Sequence, residues 1–321
     1  MARPEPDGER PTTVPLFPPV AVGMAAVMAA ALAWWQFYSG SGERAEKEEV
    51  IKDLLEEERP ALLQVSAEGS RELLEVLRGH ADDGVWPPSG QVAPVTVERF
   101  PDDLDTLHVD ERKEAFLRVL TPIVLAENQR IEAKRQFIQE VAHAFPELDD
   151  DQRHRLEALA ERYRVDVPVG EGDFFRRLLR RVDEVPPALA LAQAANESGW
   201  GTSRFTREAN NLFGEWTWIE GEGLVPEDRP DGERYAVRIF PSLERSVRSY
   251  YYNLNVGHAY REFRLERERM RREGKPLDAT VLATNLTAYS ERGEDYVSEL
   301  LAIIRVNNLV DISGAVLVER R

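Results

Sequence analysis

The segment Pro187 to Ser198 reads PALALAQAANES, with alanine at positions 188, 190, 192, 194 and 195. A proline in the first turn suits helix entry, because the N–H it lacks is one a helix start leaves unpaired. Gly199, just past the last turn, suits the exit. Side chains this small let neighbouring elements approach the backbone closely, so the pattern predicts a buried helix around which others pack. Its one acid, Glu197, then falls in the last turn. There the negative end of the helix dipole disfavours a carboxylate charge, and desolvation by neighbours such as Trp200 pushes the same way. The expected result is a carboxyl that stays protonated near neutral pH, as a general acid must.

A chain of 321 residues with 42% hydrophobic content can bury at least one sizeable core around such a helix. Its net charge of −17, from 58 acidic against 41 basic residues, gives no support for nucleic acid as a partner, which needs clustered Lys and Arg. Without cysteine there are no disulfides, thiolate metal sites or cysteine nucleophiles. The five histidines (His80, His108, His143, His154, His258) show no ligand spacing and read as surface or packing residues. No metal and no cofactor are expected.

Four segments follow from composition. Residues 1–42 hold a tail and the uncharged run Val20–Tyr38, about the ~20 residues a membrane helix needs, with Trp34, Trp35 and Tyr38 at its edge. It reads as an uncleaved anchor, the alternative being a signal peptide cleaved near Ala31-Leu32-Ala33. Residues 43–80 show helical spacing interrupted at Pro60, a stalk. Residues 81–104 carry Pro87, Pro88, Pro94 and Pro101 with Gly84 and Gly90, a linker composition. Residues 105–321 form the main domain, helical through Glu111 to Phe145 and again through DDDQRHRLEALAERY and DFFRRLLRRV.

After Gly214 the pattern changes period. Tyr235, Val237 and Ile239 alternate with Ala236, Arg238 and Phe240 behind an Asp231-Gly232 turn, which predicts a small β lobe forming one wall of a groove. Trp216 and Trp218 share one face of a strand, as core or as a sugar-stacking platform. The fold class is mainly α, α+β in detail: a helical domain with a small β-hairpin lobe, preceded by an anchor helix and a stalk.

Two linked motifs, Ala194-Ala195-Asn196-Glu197-Ser198-Gly199-Trp200-Gly201 and Asn210-Asn211-Leu212-Phe213-Gly214, resemble the Bax-type branch of the glucosaminidase superfamily, and the resemblance runs from about residue 105 to about 310. It implies a lysozyme-like helical fold, peptidoglycan glycan strands as substrate, and cleavage of the β-1,4 bond after N-acetylglucosamine. It implies Glu197 as the catalytic acid and Trp200, Asn211, Phe213, Trp216 and Trp218 as substrate-binding residues. Glycoside hydrolysis usually needs a second carboxylate. The lobe offers Glu215, Glu220, Glu222, Glu227 and Glu233, with Glu222 and Glu233 the leading candidates. Relatives keep a tyrosine near the acid where Tyr289 stands, although the continuation here is altered to SERGEDY. Tyr296, with Leu300, Ile303 and Ile304, reads as helix core. The implied address is the bacterial inner membrane, single-pass, with the catalytic domain in the periplasm. Two other functions share these residues. A lytic transglycosylase needs no second carboxylate, although Asn210 to Gly214 stands where those enzymes carry a glycine-rich GLMQ-type segment. A membrane-anchored wall-binding scaffold would have lost its chemistry.

Overall fold

A computed structural model describes residues 62–80, 90–219, 221–226, 229 and 232–318. The anchor at Val20–Tyr38, the first part of the stalk, residues 81–89 and the candidate acids Glu220 and Glu227 lie outside the described residues. Among the described residues no helix is long and apolar enough to cross a membrane.

In chain order the helices are α1 (Ser70–Gly79), α2 (Val109–Ala144), α3 (Asp150–Arg162), α4 (Phe174–Arg181), α5 (Pro187–Ser198), α6 (Arg204–Ala209), α7 (Leu243–Val256), α8 (Arg261–Arg272), α9 (Ala279–Ala283) and α10 (Glu294–Val306). The strands are β1 (Leu63–Gln64), β2 (Gln91–Val92), β3 (Val95–Thr96), β4 (Trp216–Thr217), β5 (Gly223–Leu224), β6 (Ala236–Arg238) and β7 (Val316–Leu317). The fold is mainly helical.

The alanine-rich segment is the buried helix its composition predicts. Every side chain of α5 from Ala188 to Ala195 is at most 1% exposed, and α2, α9, α10 and the 3₁₀ turn Leu309–Gly314 pack around it. Helix α2 is the second buried element: residues Ala115 to Asn128 are enclosed on every face, as expected of a helix apolar all round. Pro122 removes one backbone donor inside α2, and the Thr121 hydroxyl next to it donates to the Leu117 carbonyl at 2.8 Å.

The start of α5 is clamped. Asn128 of α2 donates to the Val185 carbonyl at 2.9 Å and accepts from the Val185 N–H at 3.2 Å. Asp183, 2% exposed, lies 3.4 Å from Arg135, 3.7 Å from Arg267 and 2.9 Å from Arg271. Arg267 is fully enclosed and donates to the carbonyls of Asp183, Glu184 and Arg180 and to Asn255 Oδ1. A buried guanidinium is tolerated only with partners of this number. The cluster joins α2, α4, α7 and α8 at the point where α5 begins.

Residues 62–80 and 90–104 are not a free stalk and linker. Strand β1 pairs with β3 and β2 pairs with β7, both in parallel, so residues 91–96 are paired with segments near each end of the described chain. Leu73, Leu74 and Leu77 of α1 join Val92, Val95, Val97, Phe100 and Leu104 in the same core as the helices. Arg78 of α1 donates to Glu114 of α2 at 3.0 Å, and Ser70 donates to Asp103 through its N–H and its hydroxyl. The helical spacing of 70–79 was readable, but its apolar face has a partner in α2 that composition could not identify. Prolines are tolerated where the backbone is extended, and the Pro94 carbonyl accepts from the Leu63 N–H.

The predicted lobe is a three-stranded antiparallel sheet in the order β4-β6-β5, with Trp216 opposite Val237 and Gly223 opposite Arg238.

A fragment starting at residue 105 would lose eight large core side chains, each worth about 1.5–3 kcal/mol when buried, against a total stability of about 5–15 kcal/mol. It is expected to lack a cooperative melt by circular dichroism, whereas a fragment starting at residue 62 melts like the whole chain. Coincident melts of the two fragments would refute this account of the core.

Candidate active site

Helix α5 ends in a turn of three successive residues with positive φ: Gly199 at 58°, Trp200 at 60° and Gly201 at 82°. The Gly199 and Trp200 N–H groups donate back to the Ala195 carbonyl. Buried Ser198 latches the turn, its hydroxyl donating to the Ala194 carbonyl at 2.6 Å and accepting from the Gly201 N–H at 2.9 Å. A Cβ at Gly201 would stand 2.8 Å from Leu104 Cδ2 and 3.2 Å from Phe116 Cδ2. Trp200 is the one bulky residue in this left-handed stretch, a conformation that is strained for such a side chain. Its ring packs edge-on against Phe116 at 5.5 Å, Phe116 stacks on Phe100 at 5.6 Å, and the Lys113 ammonium lies 4.9 Å from the centre of the Trp200 ring.

Glu197 precedes this turn and is partly exposed. Desolvation raises its carboxyl above the usual range, while the polar neighbours Tyr296 and Asn196 and the charge of Arg292 act the other way and favour the carboxylate. The burial argument made from the sequence therefore holds at this residue, and desolvation is its first cause.

A row of tyrosines faces Glu197. Tyr289, on the 3₁₀ turn Thr287–Tyr289, stacks on Tyr296 with centroids 5.5 Å apart and planes within 3°, and Tyr260 tilts against Tyr289 at 5.8 Å. The Glu197 charge raises the hydroxyl pKa of Tyr289, Tyr296, Tyr260 and Tyr250, in each case after desolvation. The Tyr289 hydroxyl also donates to the Phe213 carbonyl at 3.3 Å. Tyr296 is buried, as its apolar neighbours suggested, yet its hydroxyl accepts from Gln193 at 2.9 Å. The helix-core reading missed that polar tip, and the one signal in the sequence was a hydroxyl among Val, Leu and Ile.

Two expected substrate-binding residues serve the scaffold instead. Asn211, 2% exposed, accepts from the Glu215 N–H at 2.9 Å and donates to the Glu215 and Arg238 carbonyls at 2.8 and 2.9 Å. Its amide is fully engaged in holding the root of the lobe. Phe213, 4% exposed, stacks on Tyr250 at 4.0 Å with planes within 5°. Neither has a free face for a ligand. Trp200, Trp216 and Trp218 are each half-buried. Trp216 meets Tyr235 edge-on at 5.0 Å.

The lobe's acids divide by environment. Glu222 and Glu233 stand exposed. Glu215 is enclosed: desolvation raises its carboxyl, Ser249 donates to Oε2 at 2.7 Å, Arg238 lies 3.5 Å away, and Oε1 has no hydrogen-bond partner. Its charge and that of Glu197 both push the Tyr260 hydroxyl up, after desolvation. The sequence offered Glu215 among five lobe acids with no sign of which one was buried. Among the described residues no group of His, Asp and Glu side chains could hold a metal ion.

Residues 172–309 match the glucosaminidase family model, described as mannosyl-glycoprotein endo-beta-N-acetylglucosaminidase. Over 198 residues the chain is 33% identical to Protein bax of Escherichia coli (strain K12), a span covering 61% of this chain and 70% of that protein. Among solved structures, the catalytic domain of the autolysin Auto from Listeria monocytogenes is 18% identical, with a TM-score of 0.33 over 55% of this chain and 96% of that one.

Two outcomes follow from the turn and the acid. Gly201→Ala should cost about 1–3 kcal/mol, through positive φ and contact with Leu104, and should lower the melting temperature and disturb Trp200 fluorescence. For Glu197, a folded-state pKa above the unfolded value means that the folded chain binds the proton more tightly. Stability from this group is fully present below the ordinary Glu range near ~4.3 and is lost as pH rises through the raised value. Glu197→Gln should therefore melt above the wild type at pH 8 and close to it at pH 4. A variant less stable than the wild type at pH 8 would contradict the desolvated acid.

Proposed function

The chain belongs to the Bax-type glucosaminidase family, and from that membership we propose that it is a peptidoglycan hydrolase cleaving the β-1,4 bond after N-acetylglucosamine, with Glu197 as general acid. The observation that carries this reading is the desolvated Glu197 carboxyl at the end of α5, held between the Trp200 turn and the tyrosine row. A carboxyl protonated at working pH gives its proton to the leaving glycosidic oxygen as the C1–O bond breaks and positive charge builds on the sugar ring. The half-buried rings of Trp200, Trp216 and Trp218 are the candidates for stacking on sugar rings. The water-activating group is assigned to the lobe, from Glu222, Glu233 or the enclosed Glu215.

Lytic transglycosylase chemistry is a second reading, favoured by one observation: the two leading lobe acids stand exposed and the third is enclosed. A reaction run by Glu197 alone needs no second carboxylate. For either chemistry the address proposed is the outer side of the inner membrane, tethered through Val20–Tyr38. Protease added to spheroplasts would then digest the domain while the membrane stays sealed.

Glu197→Gln should reduce cleavage of purified peptidoglycan by about 3 to 4 orders of magnitude while the fold is kept, the scale of acid catalysis joined to charge stabilisation. Mass analysis of wild-type digests should show reducing N-acetylglucosamine ends. Anhydro-muramic ends would establish the transglycosylase reading, and near-normal activity of the variant would remove Glu197 from the mechanism.

A further inference from the structure

The segment that enters the β lobe is fastened along one face of α7. The Leu212 N–H donates to the Ser246 hydroxyl at 3.1 Å, the Phe213 ring stacks on Tyr250 at 4.0 Å, and Ser249 donates its hydroxyl proton to Glu215 Oε2 at 2.7 Å. Ser246, Ser249 and Tyr250 stand at helical spacings of three and four, which puts them side by side. Glu215 is the most engaged of the three attached residues. Its N–H donates to Asn211 Oδ1 at 2.9 Å, and its carbonyl accepts from Asn211 Nδ2 at 2.8 Å and from the Arg238 N–H of β6 at 2.9 Å. The Arg238 guanidinium donates to the Ser249 hydroxyl oxygen at 3.0 Å and lies 3.5 Å from Glu215 Oε2. A hydroxyl has one proton, and Ser249 gives its own to Glu215 while accepting from Arg238. The entry loop, β4, β6 and α7 are thus joined at one residue.

Resting on the hydrolase reading above, we infer that Glu215 is a positioning residue and not the water-activating acid: with Ser249 and Arg238 it pins the root of the lobe to α7 and so sets where Trp216 stands. A general base must meet the water it activates. Oε2 of Glu215 is held by Ser249, and Oε1 is shut off from solvent. The consequence for Trp216 comes from strand geometry, in which successive side chains point to opposite faces. Glu215 turns towards α7, and Thr217, two positions on, is 2% exposed. Trp216 between them turns the other way, half-buried and edge-on to Tyr235. A displacement of Glu215 therefore passes to Trp216 through one peptide bond. Asn211 ties the lobe to its own entry loop, whereas the Glu215 side chain ties the first strand to α7.

The test uses Glu215→Ala, Glu215→Gln and Ser249→Ala in the full chain. On purified peptidoglycan, Glu215→Ala and Ser249→Ala should each raise KM by about ten-fold, the scale of one aromatic contact, with kcat little changed. Glu215→Gln keeps an acceptor for Ser249 and should recover most of that loss. A water-activating carboxylate would behave differently: both Glu215 variants would lose about two to four orders of magnitude in kcat, with Ser249→Ala close to the wild type. That pattern overturns the inference.

A second readout needs no activity. In protein labelled with fluorotryptophan, the ¹⁹F resonance that disappears in Trp216→Phe belongs to Trp216. It should move in Glu215→Ala and Ser249→Ala and return towards its wild-type position in Glu215→Gln. If the wild type cleaves nothing, the hydrolase reading fails while this resonance still decides the positioning role. Should Glu215→Ala not fold, Ser249→Ala, which removes a single oxygen, carries both readouts. A folded Ser249→Ala whose Trp216 resonance stays in place overturns the inference, because Asn211 alone would then hold the root of the lobe.

Discussion

The turn that ends α5 is the constraint on which the site depends. Three successive left-handed residues reverse the chain within one turn, with a latch from Ser198 and no space at Gly201 for a side chain. Such a reversal brings the last turn of a fully buried helix to the surface, so Glu197 is close to solvent on one side and to packed rings on the other. A carboxyl in the middle of α5 would have no route to a substrate, and one on an outer helix would keep its ordinary pKa. The bulky Trp200 at positive φ is held by Phe116, Phe100 and Lys113. Strain of this kind persists only where the surroundings over-determine it.

The opposite end of α5 is secured by charge. Asp183, Arg267, Arg135 and Arg271 are interlocked where the helix begins, and each element that supplies a partner also packs in the core. With its start clamped and its flanks close-packed, α5 has little freedom to shift, and the rigidity that a general acid would require is built into its helix. The unfavourable desolvation of Glu197 is concentrated at one residue and offset by this framework. That division between a rigid scaffold and a costly site is common where activity and stability compete.

Much of this was legible in the chain because the relevant physics is local. Alanine spacing and flanking Pro and Gly announce α5 and its ends, period-two alternation announces the lobe, and the dipole and burial arguments single out Glu197 before any fold is known. Asn211 and Phe213 were legible as a motif but not in role, since a family signature marks what must be kept without saying whether it faces a ligand or the core. Asn211 holds three backbone partners, and Phe213 stacks on the ring of Tyr250.

The sequence by itself determined which segments are helical, where the buried helix stops and which acid sits at its end, because propensity, capping and small-residue spacing act within a few neighbouring positions. Only the tertiary structure decided that residues 62–80 and 90–104 join the core, that Glu215 is the enclosed acid of the lobe while Glu222 and Glu233 are exposed, and that the Tyr296 hydroxyl accepts from Gln193. Each of these is a contact between residues far apart in the chain. Tyr250 and Gln193, 57 positions apart, become partners only once α5 and α7 are packed. No local pattern encodes such a pairing, since the direction of a side chain across an interface is set by how whole helices stack.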